Sequence, residues 1–144
     1  TIKSGSYELA IKAMIPDVEI YKRACPLFVP LVENGHFDTQ VARLVVEEYL
    51  EEIKNADCAD FIFVIYEPTD GTGHDNGFSF NNPEYKAAFK TQDAYALEAI
   101  NAIRARDTYK TEDWLIIITA DHGGIGTGHG GESIQERMTF AVVL

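Results

Sequence analysis

Residues 60–66 read Asp-Phe-Ile-Phe-Val-Ile-Tyr, and residues 114–119 read Trp-Leu-Ile-Ile-Ile-Thr. Both runs are almost wholly apolar and rich in β-branched and aromatic residues, which is typical of strands covered on both faces. Between them, an Asn-Pro pair at 82–83 starts a helical pattern of apolar residues that reaches about Arg106. A strand, a crossover helix and a second strand predict a parallel βαβ unit.

Further elements flank this unit on both sides. Apolar residues recur at three-four spacing from about 38 to 55, which predicts an amphipathic helix with Asp38 or Thr39 as its N-cap. Residues 138–144 predict a third strand, whereas residues 1–36 predict irregular structure with short elements. The fold class is therefore α/β, with a parallel or mixed sheet and helices on both faces. Since the last strand runs to the final residue, we expect an incomplete domain.

Composition limits the classes of function. With 144 residues, of which 46% are hydrophobic, the chain is long enough for a single domain spanning 1–144. A formal net charge of −11 argues against binding to a nucleic-acid backbone. The sequence has no apolar run of membrane-spanning length. Whether Cys25 and Cys58 pair is open, since they form no recognised motif.

Each predicted strand is followed by a cluster of aspartate, histidine and glycine. Asp70 and His74 follow the first strand, Asp121 and His122 follow the second, and His129 comes seven residues later. We expect these side chains to emerge from glycine-rich loops at strand ends, where open α/β sheets hold their sites. Each cluster alone is more typical of a turn or cap, but their combination favours a metal site. Imidazole and carboxylate ligands suit Zn²⁺, with Mn²⁺, Fe or Mg²⁺ as alternatives.

The order of these motifs resembles a known family. Residues 66–77 read Tyr-Glu-Pro-Thr-Asp-Gly-Thr-Gly-His-Asp-Asn-Gly, residues 119–124 read Thr-Ala-Asp-His-Gly-Gly, and residues 128–131 read Gly-His-Gly-Gly. From about residue 60 to 140 the chain resembles the alkaline phosphatase superfamily, nearest to the type I phosphodiesterase and nucleotide pyrophosphatase branch. The resemblance implies an alkaline phosphatase-like fold and a hydrolase with two divalent metal ions, most simply zinc. By the same resemblance, Asp70, His74 and His129 would hold one metal, while Asp121 and His122 would hold the second.

The chain also departs from the family pattern. Family members place another aspartate and a Thr or Ser nucleophile upstream of these motifs, and neither is recognisable here. We therefore expect the chain to be the C-terminal portion of a catalytic domain, inactive by itself. The resemblance further implies a small-molecule phosphate ester as substrate and a location outside the cytoplasm, in the periplasm, a lumen or the extracellular space.

Two other readings stay open. The same superfamily contains sulfatases and phosphotransferases, and the missing nucleophile would distinguish them. A non-catalytic metal-binding module is the alternative outside the enzymes. Phe78 and Phe80 follow the first cluster, where core packing is the simpler interpretation than contact with a substrate ring. The substrate's identity and the oligomeric state are not predicted.

Overall fold

The computed structural model describes residues 24–29 and 39–144. Strands (β) and helices (α) follow one another along the chain in this order: β1 (Ala24–Val29), α1 (Thr39–Lys54), β2 (Phe61–Tyr66), α2 (Pro68–Asn76), α3 (Pro83–Arg104), β3 (Ile117–Thr119), α4 (Ile134–Arg137) and β4 (Ala141–Val143). A short 3₁₀ turn at Tyr109–Thr111 lies between α3 and β3. Expectations for residues 1–23 and 30–38, including Asp38 as a cap, lie outside the described residues. The mixed α/β class is confirmed, and the predicted helices match α1 and α3 closely.

The strands form two small sheets in the described part of the chain. β1 and β2 pair in parallel, from Ala24 opposite Phe61 to Val29 opposite Tyr66. β3 and β4 pair antiparallel, with Ile117 opposite Val143. The predicted βαβ unit is therefore wrong in its pairing, because β3 pairs with β4 instead of β2.

The physical reason lies in the run at 114–119. Its residues alternate between half-buried and exposed, and Trp114 and Ile116 pack against the helical core. Leu115 and Ile117 are 70% and 58% exposed. The run is thus covered on one face only, which is the pattern of an antiparallel strand rather than of a strand buried on both faces.

The hydrophobic core lies between α1, α3 and β2. Its buried members come from α1 and from the end of α3, namely Val46, Tyr49, Leu50, Ile53 and Ile103. Burial of each aliphatic side chain contributes about 1.5–3 kcal/mol. Polar atoms in this region are also paired, since the Tyr49 hydroxyl donates to the Tyr95 carbonyl at 2.9 Å and accepts from the Tyr66 hydroxyl at 2.7 Å.

Arg106 joins the far end of this core to the segment that leads into β3. Its side chain is 3% exposed and donates to both carboxylate oxygens of Glu112, at 2.8 and 2.6 Å. It also donates to the carbonyls of Ile53 and Asn55 and lies over the Trp114 ring. This bidentate pair with Arg106, supported by hydrogen bonds from Thr108 and Trp114, lowers the pKa of Glu112 to about 2.

The glycine-rich stretch after β2 is helix α2, not the predicted loop. Pro68 occupies the first turn, where its fixed φ suits a helix and its missing N–H is not needed. The Thr72 hydroxyl donates to the Pro68 carbonyl at 2.8 Å. Asn82 then links the two helices: its side chain caps α3 by accepting from the Glu84 and Tyr85 N–H groups and donates to the Asn76 carbonyl. Within the described residues, no helix combines the length and hydropathy that a membrane crossing requires.

Candidate metal centre

Asp70 and His74 share one face of α2. They are four residues apart, the spacing that brings helical side chains together. His74 Nε2 lies 3.5 Å from Asp70 Oδ2. The helix that the sequence interpretation missed thus brings the first pair of predicted ligands together.

His129, which is distant from α2 in the sequence, completes a compact group with these two residues. Its Nε2 lies 3.0 Å from His74 Nε2 and 3.4 Å from Asp70 Oδ1. One ligand atom from each of these three residues lies within 4.8 Å of the others. A tetrahedral zinc ion with bonds of about 2.0–2.2 Å holds its ligand atoms about 3.3–3.6 Å apart. The observed separations of 3.0, 3.4 and 3.5 Å are close to this range, although the last two involve different oxygens of Asp70, so the group fits a zinc ion once the side chains adjust.

The ring of His74 is held in the orientation that a metal ligand needs. Its Nδ1 lies 2.9 Å from the carbonyl oxygen of Thr127. Because a carbonyl can only accept, Nδ1 carries the proton, and Nε2 of the neutral ring has a free lone pair. A carbonyl behind the ring is the usual way in which proteins orient a metal-binding histidine.

A buried carboxylate oxygen of Asp70 supports the same conclusion. Asp70 Oδ1 and Thr69 Oγ1 are enclosed and have no hydrogen-bond partner among the described residues. A buried carboxylate oxygen without a donor is costly, and a cation would remove that cost. The donor set and the unsatisfied carboxylate oxygen therefore both fit a divalent metal.

Asp121 and His122 lie beside this group. The His122 ring stacks on the His129 ring, with centroids 3.8 Å apart and planes at 21°. His122 Nδ1 lies 2.9 Å from the Gly123 carbonyl, so its Nε2 carries the lone pair, and this atom lies 3.6 Å from Asp121 Oδ2. The five sequence-predicted ligands are thus neighbours through ring stacking and Asp–His contacts, but among them only Asp70, His74 and His129 form a compact group.

Glu136 holds the segment that follows His129. Its carboxylate accepts from the Gly131 N–H at 2.9 Å and from the Ser133 N–H at 3.2 Å. The Ser133 side chain accepts from the Glu136 N–H in return, which completes a capping box at the start of α4. Hydrogen bonds from the Ser133 side chain and the Gly131 backbone lower the pKa of Glu136, and nearby His129 adds to this effect. The Ser-x-x-Glu pattern was readable from the sequence, although its role beside His129 was not.

Phe78 is the other residue that sequence reasoning undervalued. Its ring meets the His74 ring edge-on at 5.4 Å and the His129 ring at 6.0 Å. It also contacts Tyr85, whose pKa is raised by burial and by the Asp70 carboxylate. Nothing in the residue order around Phe78 indicated contact with His129, which is 51 positions away.

The fold and site describe an α/β protein with a histidine-aspartate centre suited to a divalent metal. A family model described as type I phosphodiesterase / nucleotide pyrophosphatase matches residues 7–134. The chain belongs to this family, which is part of the alkaline phosphatase superfamily. The resemblance carried by residues 60–140 is confirmed and extends over a longer part of the chain.

Shorter similarities connect the chain to another group of proteins. It is 57% identical over 53 residues to a glutamate racemase of Sulfurihydrogenibium sp., which covers 37% of this chain and 20% of the racemase. It is 50% identical over 56 residues to a glutamate racemase of Geobacter metallireducens, covering 39% and 21%. The chain thus spans about a fifth of the length of these curated relatives. No solved structure matches it.

Proposed function

We propose that this chain carries the metal-binding part of a phosphoric ester hydrolase that uses two divalent metal ions, with zinc as the favoured metal. The observation that supports it best is the group formed by Asp70, His74 and His129, whose ligand atoms lie within 4.8 Å of one another. Family membership supplies the reaction class, because type I phosphodiesterases and nucleotide pyrophosphatases cleave phosphate esters.

Each ligand residue has a distinct place in this proposal. Asp70, His74 and His129 hold the first metal, and Asp121 with His122 contributes to the second. When bound, the metals would supply Lewis acidity toward a phosphoryl oxygen and charge neutralisation for the anion. The Thr127 and Gly123 carbonyls keep Nδ1 of His74 and His122 protonated, so that each ring offers Nε2.

Charge explains why the substrate would bind at this centre. The chain has a formal net charge of −11, which by itself does not favour binding of an anionic phosphate ester. The ligand set itself contains only two carboxylates, Asp70 and Asp121, beside three neutral histidines. Two bound divalent cations would therefore leave the centre positive, and a small phosphate ester fits that charge.

The remaining parts of the proposal concern the whole protein. We propose that these residues form the C-terminal portion of an alkaline phosphatase-like catalytic domain and that a Thr or Ser nucleophile lies upstream of the motifs. We further propose that the protein acts outside the cytoplasm, as the family resemblance implies. The similarity to the two glutamate racemases adds nothing to this function, because it covers 37% and 39% of this chain and about a fifth of each of these two racemases.

The first test measures zinc binding to the 144-residue chain by elemental analysis and calorimetry. We expect stoichiometric zinc in the parent chain and its loss in His74→Ala and His129→Ala. Asp107→Asn, at an exposed carboxylate beyond the end of α3, is the matched control and should bind zinc as the parent does. Absence of zinc binding in the parent after reconstitution would contradict the proposal.

A second measurement tests the substrate class. Inorganic phosphate and sulfate are titrated separately into the zinc-loaded chain. Tighter binding of phosphate would support a phosphate ester as substrate, and tighter binding of sulfate would favour sulfate-ester chemistry. Zinc binding without either anion would contradict the hydrolase and favour a non-catalytic metal-binding module.

A further inference from the structure

We infer that Phe78 is a positioning residue for the metal centre: its ring is wedged between the two chain segments that carry His74 and His129, and it sets the distance between their Nε2 atoms. The inference rests on the proposed metal site and adds a residue that binds no metal itself.

The ring of Phe78 touches both histidines. Its contacts with His74 and His129 are edge-on, at interplanar angles of 84° and 88°, which is a favoured aromatic geometry. The two histidine rings are 4.8 Å apart, and their Nε2 atoms are 3.0 Å apart. A side chain that contacts both rings limits how far each can rotate or move away from the other.

Two glycines enclose the same ring. A Cβ atom added at Gly73, on α2 beside His74, would lie 2.4 Å from the Phe78 ring, and one added at Gly124, after His122, would lie 2.3 Å from it. Real side chains do not approach so closely, so the ring occupies the space that a larger residue at either position would need. The ring therefore packs directly against the backbone of both segments.

The backbone holds Phe78 in this place. Gly77 has a φ of +103°, which favours glycine, and its N–H closes α2 on the Gly73 carbonyl at 2.8 Å. The Phe78 N–H then donates to the Gly126 carbonyl at 2.7 Å, in the segment between His122 and His129. Phe78 is thus fixed to both segments through its backbone and its ring, and the loss of the ring would leave a gap between them.

The experiment measures zinc affinity in Phe78→Leu and Phe78→Ala by calorimetry, with thermal melts of the metal-free chain recorded in parallel. Substitution of residues that orient metal ligands typically weakens metal affinity by roughly 10- to 100-fold, and we expect losses in that range. Phe80→Ala is the matched control: Phe80 is 57% exposed, and in the described part of the chain its ring contacts Tyr85 and Phe89 and neither histidine. It should leave zinc affinity unchanged.

Cobalt absorption separates positioning from general stability. The spectrum of bound Co²⁺ depends on coordination geometry, so a displaced histidine changes it, whereas a purely structural loss lowers the melting temperature and leaves the spectrum of the folded chain intact. A changed spectrum in Phe78→Leu supports the inference. An unchanged spectrum together with parent-like zinc affinity overturns it.

A double-mutant cycle independently tests whether the Phe78 ring positions the two segments by packing between them. Gly124→Ala should weaken zinc binding when Phe78 is present and have little further effect in the Phe78→Ala background, since the new methyl group then occupies the vacated space. Gly128→Ala is the glycine control, because a Cβ there meets no atom within 4 Å among the described residues. Additive effects in the cycle would overturn the inference. A parent chain that binds no zinc would instead remove the proposed metal site, a result distinct from any failure of the Phe78 variants.

Discussion

The helical core and the C-terminal segment (residues 120–144), which carries three of the candidate ligands, are stabilised by different kinds of contact. In the core, Val46 and Tyr49 are fully buried, with 0% and 1% exposure. In the C-terminal segment no side chain is buried, and Ile134 is 75% exposed. Hydrogen bonds hold that segment instead, such as those from the Gly123 N–H to the Glu136 carbonyl and from the Thr139 hydroxyl to the Ala120 carbonyl. Apolar burial thus stabilises the framework, while residues 120–144 are held by hydrogen bonds and by ring contacts such as that between Phe78 and His129.

Ile53→Ala should give the largest loss of stability. Ile53 is 3% exposed in the core, and truncation of such a side chain costs about 2–5 kcal/mol through lost burial and the cavity left behind. Chemical denaturation followed by far-UV circular dichroism measures the change in free energy of unfolding. A loss below about 0.5 kcal/mol, the range of ordinary surface substitutions, would show that the apolar core does not hold the framework.

Zinc should stabilise the chain by an amount set by its affinity. A ligand that binds only the folded state adds about 2.7 kcal/mol when its free concentration is 100 times Kd. Thermal melts with and without zinc measure the effect in the parent, and His129→Ala should show no zinc-dependent shift. Equal shifts in both proteins would mean that zinc acts elsewhere than at this centre.

Acid should weaken the framework at the Arg106 and Glu112 pair. The pKa of Glu112 is lowered from 4.5 to about 2 in the folded chain, so its carboxylate contributes stability above pH 4.5 that is lost as the pH falls toward 2. Glu112→Gln should be less stable than the parent at pH 7, and the difference should shrink across this window. Denaturation curves at several pH values test it, and a difference that stays constant down to pH 2 would contradict the assignment.

Ile134→Ala should give the smallest effect. Ile134 is large and apolar but 75% exposed, so its truncation removes little buried surface. We expect a change within about 0.5 kcal/mol in the free energy of unfolding. A loss comparable to that of Ile53→Ala would show that burial of apolar side chains also stabilises the C-terminal segment, which would contradict the difference between the two regions.

Local sequence signals predicted the elements of the framework well. The apolar spacing in α1, the uniform run of β2 and the Asn82-Pro83 start of α3 all match the structure, because each depends on residues close together in the chain. Prediction failed where contacts between residues far apart in the sequence determine the local structure. Helix α2 contains two glycines, which have poor helix propensity, yet Gly73 is needed for close contact with Phe78. The pairing of β3 was mispredicted for a similar reason, because the sequence of residues 114–119 did not show that only one of its faces packs against the core.

For the candidate site, the sequence by itself determined which aspartates and histidines are candidate ligands, their order in the chain and the family to which the chain belongs. Asp70 and His74 could be paired from their spacing once a helix was assumed. Only the tertiary structure brought His129, 55 positions beyond His74, to within 3.0 Å of it and supplied the Thr127 carbonyl that fixes the proton on His74. The physical reason is that the distances between these side chains and the orientations of their rings depend on packing between distant segments. That packing cannot be read directly from the order of the residues.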